Sequence, residues 1–233
     1  MGVLGDDDAG RHIRDDCHKH HIDTRQLHIT KEAPTSYSDV MTVKSTGRRT
    51  LFHRRGANMF LDAEHFDFTQ SDTRILYLGY LLLLDRLDQP EPICGTVAAS
   101  VLQRAQKAGL KTILDLVSED GDRFTQIVRP ALKFCDYCVV NEFEAERTTG
   151  IEIVREGRVD FGAARKAAQE LLATGVRLSS IFLPVQSPSV PAGGSWLKRA
   201  SICHRNVSWA RLERETLSPP ACFWDYTKTC RST

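Results

Sequence analysis

Cys135 and Cys138 form a Cys-x-x-Cys pair, and Cys17, His18, His20 and His21 crowd into one short stretch. Both groups have residue types that bind metals, at spacings that metals use. A tetrahedral zinc site needs a second pair, and no second Cys-x-x-Cys completes the first. Tyr137, Val139 and Val140 surround the pair, so it reads as two buried thiols at the start of a strand. The cysteine and histidines near residue 20 read as the solvated polar face of a helix end. Asp115 and Asn141 differ in kind. Asp115 closes the apolar strand read over 111–117, and Asn141 follows the one read over 137–140, so each is a polar group at a strand terminus.

The elements that position these residues alternate. A helix is expected over 9–20 and a short strand over 27–30. Residues 35–43 and 50–53, joined by a turn through Lys44-Ser-Thr-Gly-Arg-Arg, read as a hairpin with one uncovered face. After Asp72 the pattern changes. The run 75–80 is continuously apolar, as a strand buried on both faces would be. Helix 95–109, strand 111–117, helix 123–134 around Pro130, strand 137–140, helix 142–149 closed by Gly150, helix 161–174 closed by Gly175 and strand 179–183 follow. Strand and helix alternating at this spacing imply βαβ units and a parallel sheet with helices on both faces. Ligands of such sheets sit at the carboxyl ends of the strands, where Asp115 and Asn141 fall.

The bulk properties are those of an ordinary globular chain: 41% apolar and 26% charged residues, with a formal net charge of +1. Nothing in that balance favours a nucleic acid or a membrane surface as partner. No apolar run reaches membrane-spanning length, and the acidic opening lacks the form of a signal peptide. Seven cysteines without regular spacing suggest reduced thiols in the cytoplasm.

The segment Asp136-Tyr-Cys-Val-Val-Asn-Glu-Phe-Glu-Ala-Glu-Arg-Thr-Thr-Gly-Ile resembles the Asp-x-x-x-x-Asn-Glu-x-Glu stretch of ribokinase-like, PfkB-type carbohydrate kinases. Gly5-Asp-Asp-Asp-Ala-Gly is similar to the step after that family's second strand. Residues 27–58 are similar to its β lid, ending in Arg55-Gly-Ala-Asn, and 75–80 and 112–117 match later core strands. The resemblance runs over roughly residues 1–183 and rests on order and spacing. It implies an α/β fold, a ribokinase-like three-layer αβα sandwich with a mostly parallel sheet and a small β lid, incomplete here. It implies ATP and Mg as cofactors, a sugar or sugar acid as acceptor and a possible homodimer through the lid. Asn141 and Glu144 are then the metal and phosphate residues, because a carboxylate at a helix start can hold a water-bound metal against phosphates. The same spacing also describes a helix cap, with Asn141 as N-cap and Glu144 as its partner. Arg54, Arg55 and Asn58 are the implied lid contacts, arginine suiting an acidic sugar or a phosphate. A solvated hairpin edge, where charge discourages strand pairing, is the plainer account of the same residues. Asp115 is the further strand-end candidate.

Two parts of the family pattern are missing. The N-terminal strand with its Gly-Gly segment would precede Met1, and the Gly-Ala-Gly-Asp loop occurs nowhere in the chain. That loop's amides would face the transferred phosphate, and its aspartate would serve as general base. All three tryptophans lie after residue 195, and residues 201–233 have no clear period. In the adjacent reading frame, the codons of Leu212 to Thr216 can spell Gly-Ala-Gly-Asp, and those of Thr216 to Ala221 can spell Ala-Phe-Ala-Ala-Gly. A frame disruption between about Ser179 and Cys203 is therefore expected. On this reading, 1–185 is a partial kinase domain and 186–233 an aberrant tail. The chain is then a fragment of an ATP-dependent sugar kinase without turnover or, alternatively, a non-catalytic nucleotide- or sugar-binding module. A signalling receiver, suggested by Asp6, Asp7 and Asp8, fails for want of a lysine at a late strand end.

Overall fold

The computed structural model describes residues 1–45, 49–70, 72–184 and 199–205. Strand β1 (Gly2–Gly5) pairs in parallel with β2 (Leu27–Thr30), and helix α1 (Asp8–Lys19) connects them. Asp7 starts α1 and ties three segments together. Its Oδ1 accepts from Gly10 N at 2.8 Å and from the Thr35 hydroxyl at 2.6 Å, and its Oδ2 accepts from Thr35 N at 2.7 Å. Gly10 must be glycine, because a Cβ there would lie 2.2 Å from Gly5 O.

Thr35 also marks the root of a hairpin, β3 (Tyr37–Thr42) and β4 (Arg49–Arg54), which are antiparallel with Tyr37 opposite Arg54. Every residue of β3 and β4 is exposed, including Tyr37, Val40, Met41, Leu51 and Phe52. The chain leaves the hairpin through Gly56, at φ +50°, into 3-10 turns at Gly56–Phe60, Ala63–His65 and Phe68–Gln70.

The main sheet holds β5 (Ile75–Leu81), β8 (Lys111–Leu116), β9 (Tyr137–Asn141), β12 (Leu178–Pro184) and β13 (Arg199–Arg205). Its order is β13-β12-β9-β8-β5, with four parallel strands and β13 antiparallel. Between them lie the short pair β6 (Pro90–Glu91) and β7 (Gly95–Thr96), and helices α2 (Val97–Lys107), α3 (Phe124–Leu132) and α4 (Glu142–Thr149). The small hairpin β10 (Val154–Arg155) and β11 (Arg158–Val159) and helix α5 (Phe161–Ala173) complete the chain. One sheet face is closed. Leu78, Leu114, Cys138 and Ser179 align across four strands in register, all buried, and the core gathers them with Val101 and Leu102 of α2, Val128 and Leu132 of α3, Ala145 of α4 and Leu171 of α5.

Two expectations change. β5 is not buried on both faces: it is the edge strand, and Ile75 and Tyr77 are about half exposed while Leu76 and Leu78 are buried. A strand, β13, occupies part of the stretch in which no period was legible, and it pairs along all seven residues of β12. The remainder of the expected tail, 186–198 and 206–233, lies outside the described residues.

At the amino end of the sheet, Asp136 is 3% exposed and binds three strand roots. It accepts from Thr112 N at 3.1 Å and from Gln106 at 3.3 Å, and pairs with Lys111 at 3.3 Å and Arg177 at 3.0 Å. Cys135 and Cys138 flank it as buried free thiols. Among the described residues no three histidine, cysteine, aspartate or glutamate side chains come together as a metal cage, and no helix is long and apolar enough to cross a membrane.

Candidate functional site

At the carboxyl ends of β8 and β9 the sequence turns polar, and α4 begins immediately after β9. Asn141 caps α4. Its Oδ1 accepts from Glu144 N at 2.9 Å, and Glu144 Oε2 accepts from Asn141 N at 2.9 Å, so the reciprocal capping box is formed in full. Gly150, in the left-handed region at φ 75°, closes the same helix.

The capping role does not use up the pair. Ser118, three residues beyond Asp115, donates to Glu144 Oε1 at 2.8 Å and accepts from Asn141 Nδ2 at 2.7 Å. Glu144 is 5% exposed. Burial pushes its carboxyl above the usual range, and the negative charges of Asp115 and Glu142 push in the same direction against the Asn141 and Ser118 hydrogen bonds. Asp115 takes Tyr77 of the neighbouring strand as donor, and its Oδ1 accepts from Leu116 N at 2.9 Å. Burial and then the bond to Asp115 push the Tyr77 phenol up.

Ser118 thus joins Asn141 at the end of β9 to Glu144 in the first turn of α4, and Asp115, at the end of neighbouring β8, is bonded to Tyr77. No sequence signal marked Ser118: its partners are 23 and 26 residues away, and only the parallel register of β8 and β9 makes them neighbours. Arg54, Arg55 and Asn58 lie apart from that trio, at the end of β4 and in the turn after it. Arg54 is exposed opposite Tyr37. Arg55 is engaged within the protein: it pairs with Asp85 and lies 3.9 Å from Glu119, in the loop that leaves β8. Asn58 sits half-buried in the turn, its N–H bonded to Arg55 O at 3.1 Å.

A magnesium ion fits this rim in one way. Among the described residues no three such groups converge as a metal cage, and Mg²⁺ commonly keeps its waters and leans on one or two carboxylates plus phosphate. Two carboxylates close enough for mutual repulsion, at a helix start, match that mode.

The chain matches the model of the pfkB family carbohydrate kinases over residues 1–186. Among solved structures it is similar to a fructokinase from Xylella fastidiosa with bound ATP, at 17% identity over 89% of this chain and 59% of that one, with a TM-score of 0.61. It is similar to a 2-dehydro-3-deoxygluconokinase from Thermotoga maritima, at 16% identity over 79% and 57%, TM-score 0.62. A ribokinase from Giardia lamblia aligns at 16% identity over 78% and 52%, TM-score 0.60. Curated proteins yield no match. The chain spans between 52% and 59% of the length of these three structures. At these identities the structures establish a shared ribokinase-like fold. The family match, which runs without a break through the hairpin, both strand ends and the capped helix, establishes more: this chain belongs to the pfkB family of carbohydrate kinases.

Proposed function

We propose that this chain carries the phosphate-side and lid-side parts of an ATP-dependent sugar kinase, and that its 233 residues bind ligand without appreciable turnover. The observation that supports the reading is the rim of Asp115, Asn141, Glu144 and Ser118, set where α/β sheets bind ligands. Asn141 and Glu144 would face the nucleotide phosphates. Mg²⁺ bound there would neutralise phosphate charge. Glu144, held by Ser118 and by Asn141 N–H, would be the carboxylate that meets such an ion. The hairpin serves as acceptor lid, with exposed Arg54 presenting a fork to an acidic group on a sugar acid. Phosphoryl transfer also needs a base on the acceptor hydroxyl and amides around the moving phosphate. The chain contains no Gly-Ala-Gly-Asp segment to supply them. A non-catalytic binding module is the reading this combination favours for the chain as given.

The apolar side chains exposed along the hairpin support a homodimer in which a second copy covers them. The unpaired, buried thiols of Cys94, Cys135 and Cys138 suit a reducing, cytoplasmic setting.

Calorimetry with Mg·ATP tests the assignment, with Glu144→Gln as the informative variant. Glutamine preserves the capping box and removes the charge. The parent should bind, and the variant should melt like the parent yet bind at least about tenfold more weakly, roughly 1.4 kcal/mol. No heat at millimolar Mg·ATP, or equal affinity in both proteins, contradicts the reading; so does rapid sugar phosphorylation by the pure chain.

A further inference from the structure

Adjacent residues in the loop after β8 serve different partners. Ser118 holds Glu144 and Asn141, as described. Glu119 holds two guanidinium groups. Arg55 Nη2 lies 3.9 Å from its Oε2, and Arg123 binds both oxygens, with Nε 3.0 Å from Oε1. Arg123 continues to Leu82 O at 2.9 Å, and Leu82 N donates to the buried Asp88 at 3.1 Å, so the loop after β5 is drawn into the same network. Arg55 also pairs with Asp85 of that loop.

The hairpin is tied at two roots. All residues of β3 and β4 are exposed, so among the described residues no burial along their length fixes where the hairpin stands. The first root, Thr35, is bound to Asp7. The second is Arg55, directly before the left-handed Gly56, whose close approach to Pro34 O leaves no room for a Cβ. With the first root bound at α1, the second decides the hairpin's tilt, and Arg55 is secured by Asp85 and by Glu119.

We propose that Ser118 and Glu119 are positioning residues which, from one loop, set both the Asn141–Glu144 pair and the second root of the hairpin, so that the two are coupled. This rests on the reading above for what the pair and the hairpin do, while the coupling itself requires no nucleotide. One rigid peptide unit, with about 3.8 Å between Cα atoms, joins the two residues. A displacement that lets Ser118 follow Glu144 must therefore move Glu119, and the Arg55 bridge carries the movement to the hairpin. Side-chain exposures of 34% for Arg55, 27% for Glu119 and 35% for Arg123 leave the bridge only partly screened by solvent.

Amide hydrogen exchange on the ligand-free full chain provides the test. Glu119→Gln should speed exchange about fivefold in β3 and β4 and also in the first turn of α4, twenty residues and more away in sequence. Ser118→Ala should do the same in both places, and Ser118→Thr, which keeps the hydroxyl, should restore parent rates in both. If each variant disturbs only its own side, or neither side responds, the coupling is overturned. Should Glu119→Gln fail to fold, Arg55→Gln severs the same bridge from the hairpin and is read by the same criteria. Because no nucleotide is present, failure here is separable from failure of the kinase reading, which the Mg·ATP titration decides.

Discussion

Asp136→Ala should weaken the fold by several kilocalories, for reasons that can be followed atom by atom. The carboxylate is 3% exposed and accepts from the buried N–H of Thr112. Alanine leaves that N–H without an acceptor, which costs about 1–3 kcal/mol. The Thr112 hydroxyl keeps its bond to Phe134 O at 2.8 Å and adds little. Lys111 and Arg177 are 45% and 69% exposed, so water replaces most of what they lose, at about 0.5 kcal/mol each. The total is about 2–4 kcal/mol, a large share of the 5–15 kcal/mol typical of a domain. At about 2–4 °C per kcal/mol, Tm should fall by about 4–16 °C. Asp136→Asn keeps one oxygen for the Thr112 N–H and should lose about half as much. Urea unfolding followed by circular dichroism measures the difference, with the slope m required to match the parent. A stability for Asp136→Ala within about 0.5 kcal/mol of the parent refutes the account.

Other consequences are open to direct measurement. Burial opposes it, yet hydrogen bonds from Thr112, Gln106 and Lys111 hold Asp136 below the usual carboxylate range, and the Thr35 hydroxyl leads in holding Asp7 there. Such groups stabilise above their unfolded value of 3.8, and that stability is lost as pH falls through the lower folded value. Burial drives Asp88 the other way, up to about 6, so its contribution grows as pH drops from neutral toward 3.8. Urea midpoints should therefore rise between pH 7 and about 4 and fall below that; in Asp88→Asn the rise should largely vanish. Gly10→Ala should cost about 1–3 kcal/mol or more in a thermal melt, because its Cβ meets a backbone oxygen that cannot yield. Peptide-resolved alkylation under native conditions should modify Cys17 on the order of a hundredfold faster than Cys135, whose thiol burial pushes up to about 12.

Periodicity located most of the scaffold because long elements repeat their pattern. The strand at Leu27–Thr30 and the helix at Glu142–Thr149 lie where the residues placed them, and the ends of β5, β8 and β9 differ by a residue. Elements of two to five residues, such as β6, β7, β10, β11 and the 3-10 turns, repeat nothing and left no trace. The uncovered face of β5 was illegible for another reason: Ile75 and Tyr77 are as apolar as buried residues, and only the packed structure shows that they stand about half exposed on an edge strand. At the rim, Asn141 and Glu144 were legible because a capping box is local. Ser118, the engagement of Arg55 with Glu119 and the Tyr77–Asp115 bond depend on which strands are neighbours, which is a property of topology.

The staple at Asp136 and the rim at Asp115 and Glu144 stand at opposite ends of the same strands, about 15 Å apart along β9. Asp136 binds Thr112, Gln106, Lys111 and Arg177, whereas the rim is built with Tyr77, Ser118 and Asn141, so the two sets of bonds share no side chain. The carboxylate that keeps the strands in place and the carboxylates that would handle phosphate are thus inherited as separable parts. A substitution at one margin can therefore change what the rim binds without unpicking the seam at the other.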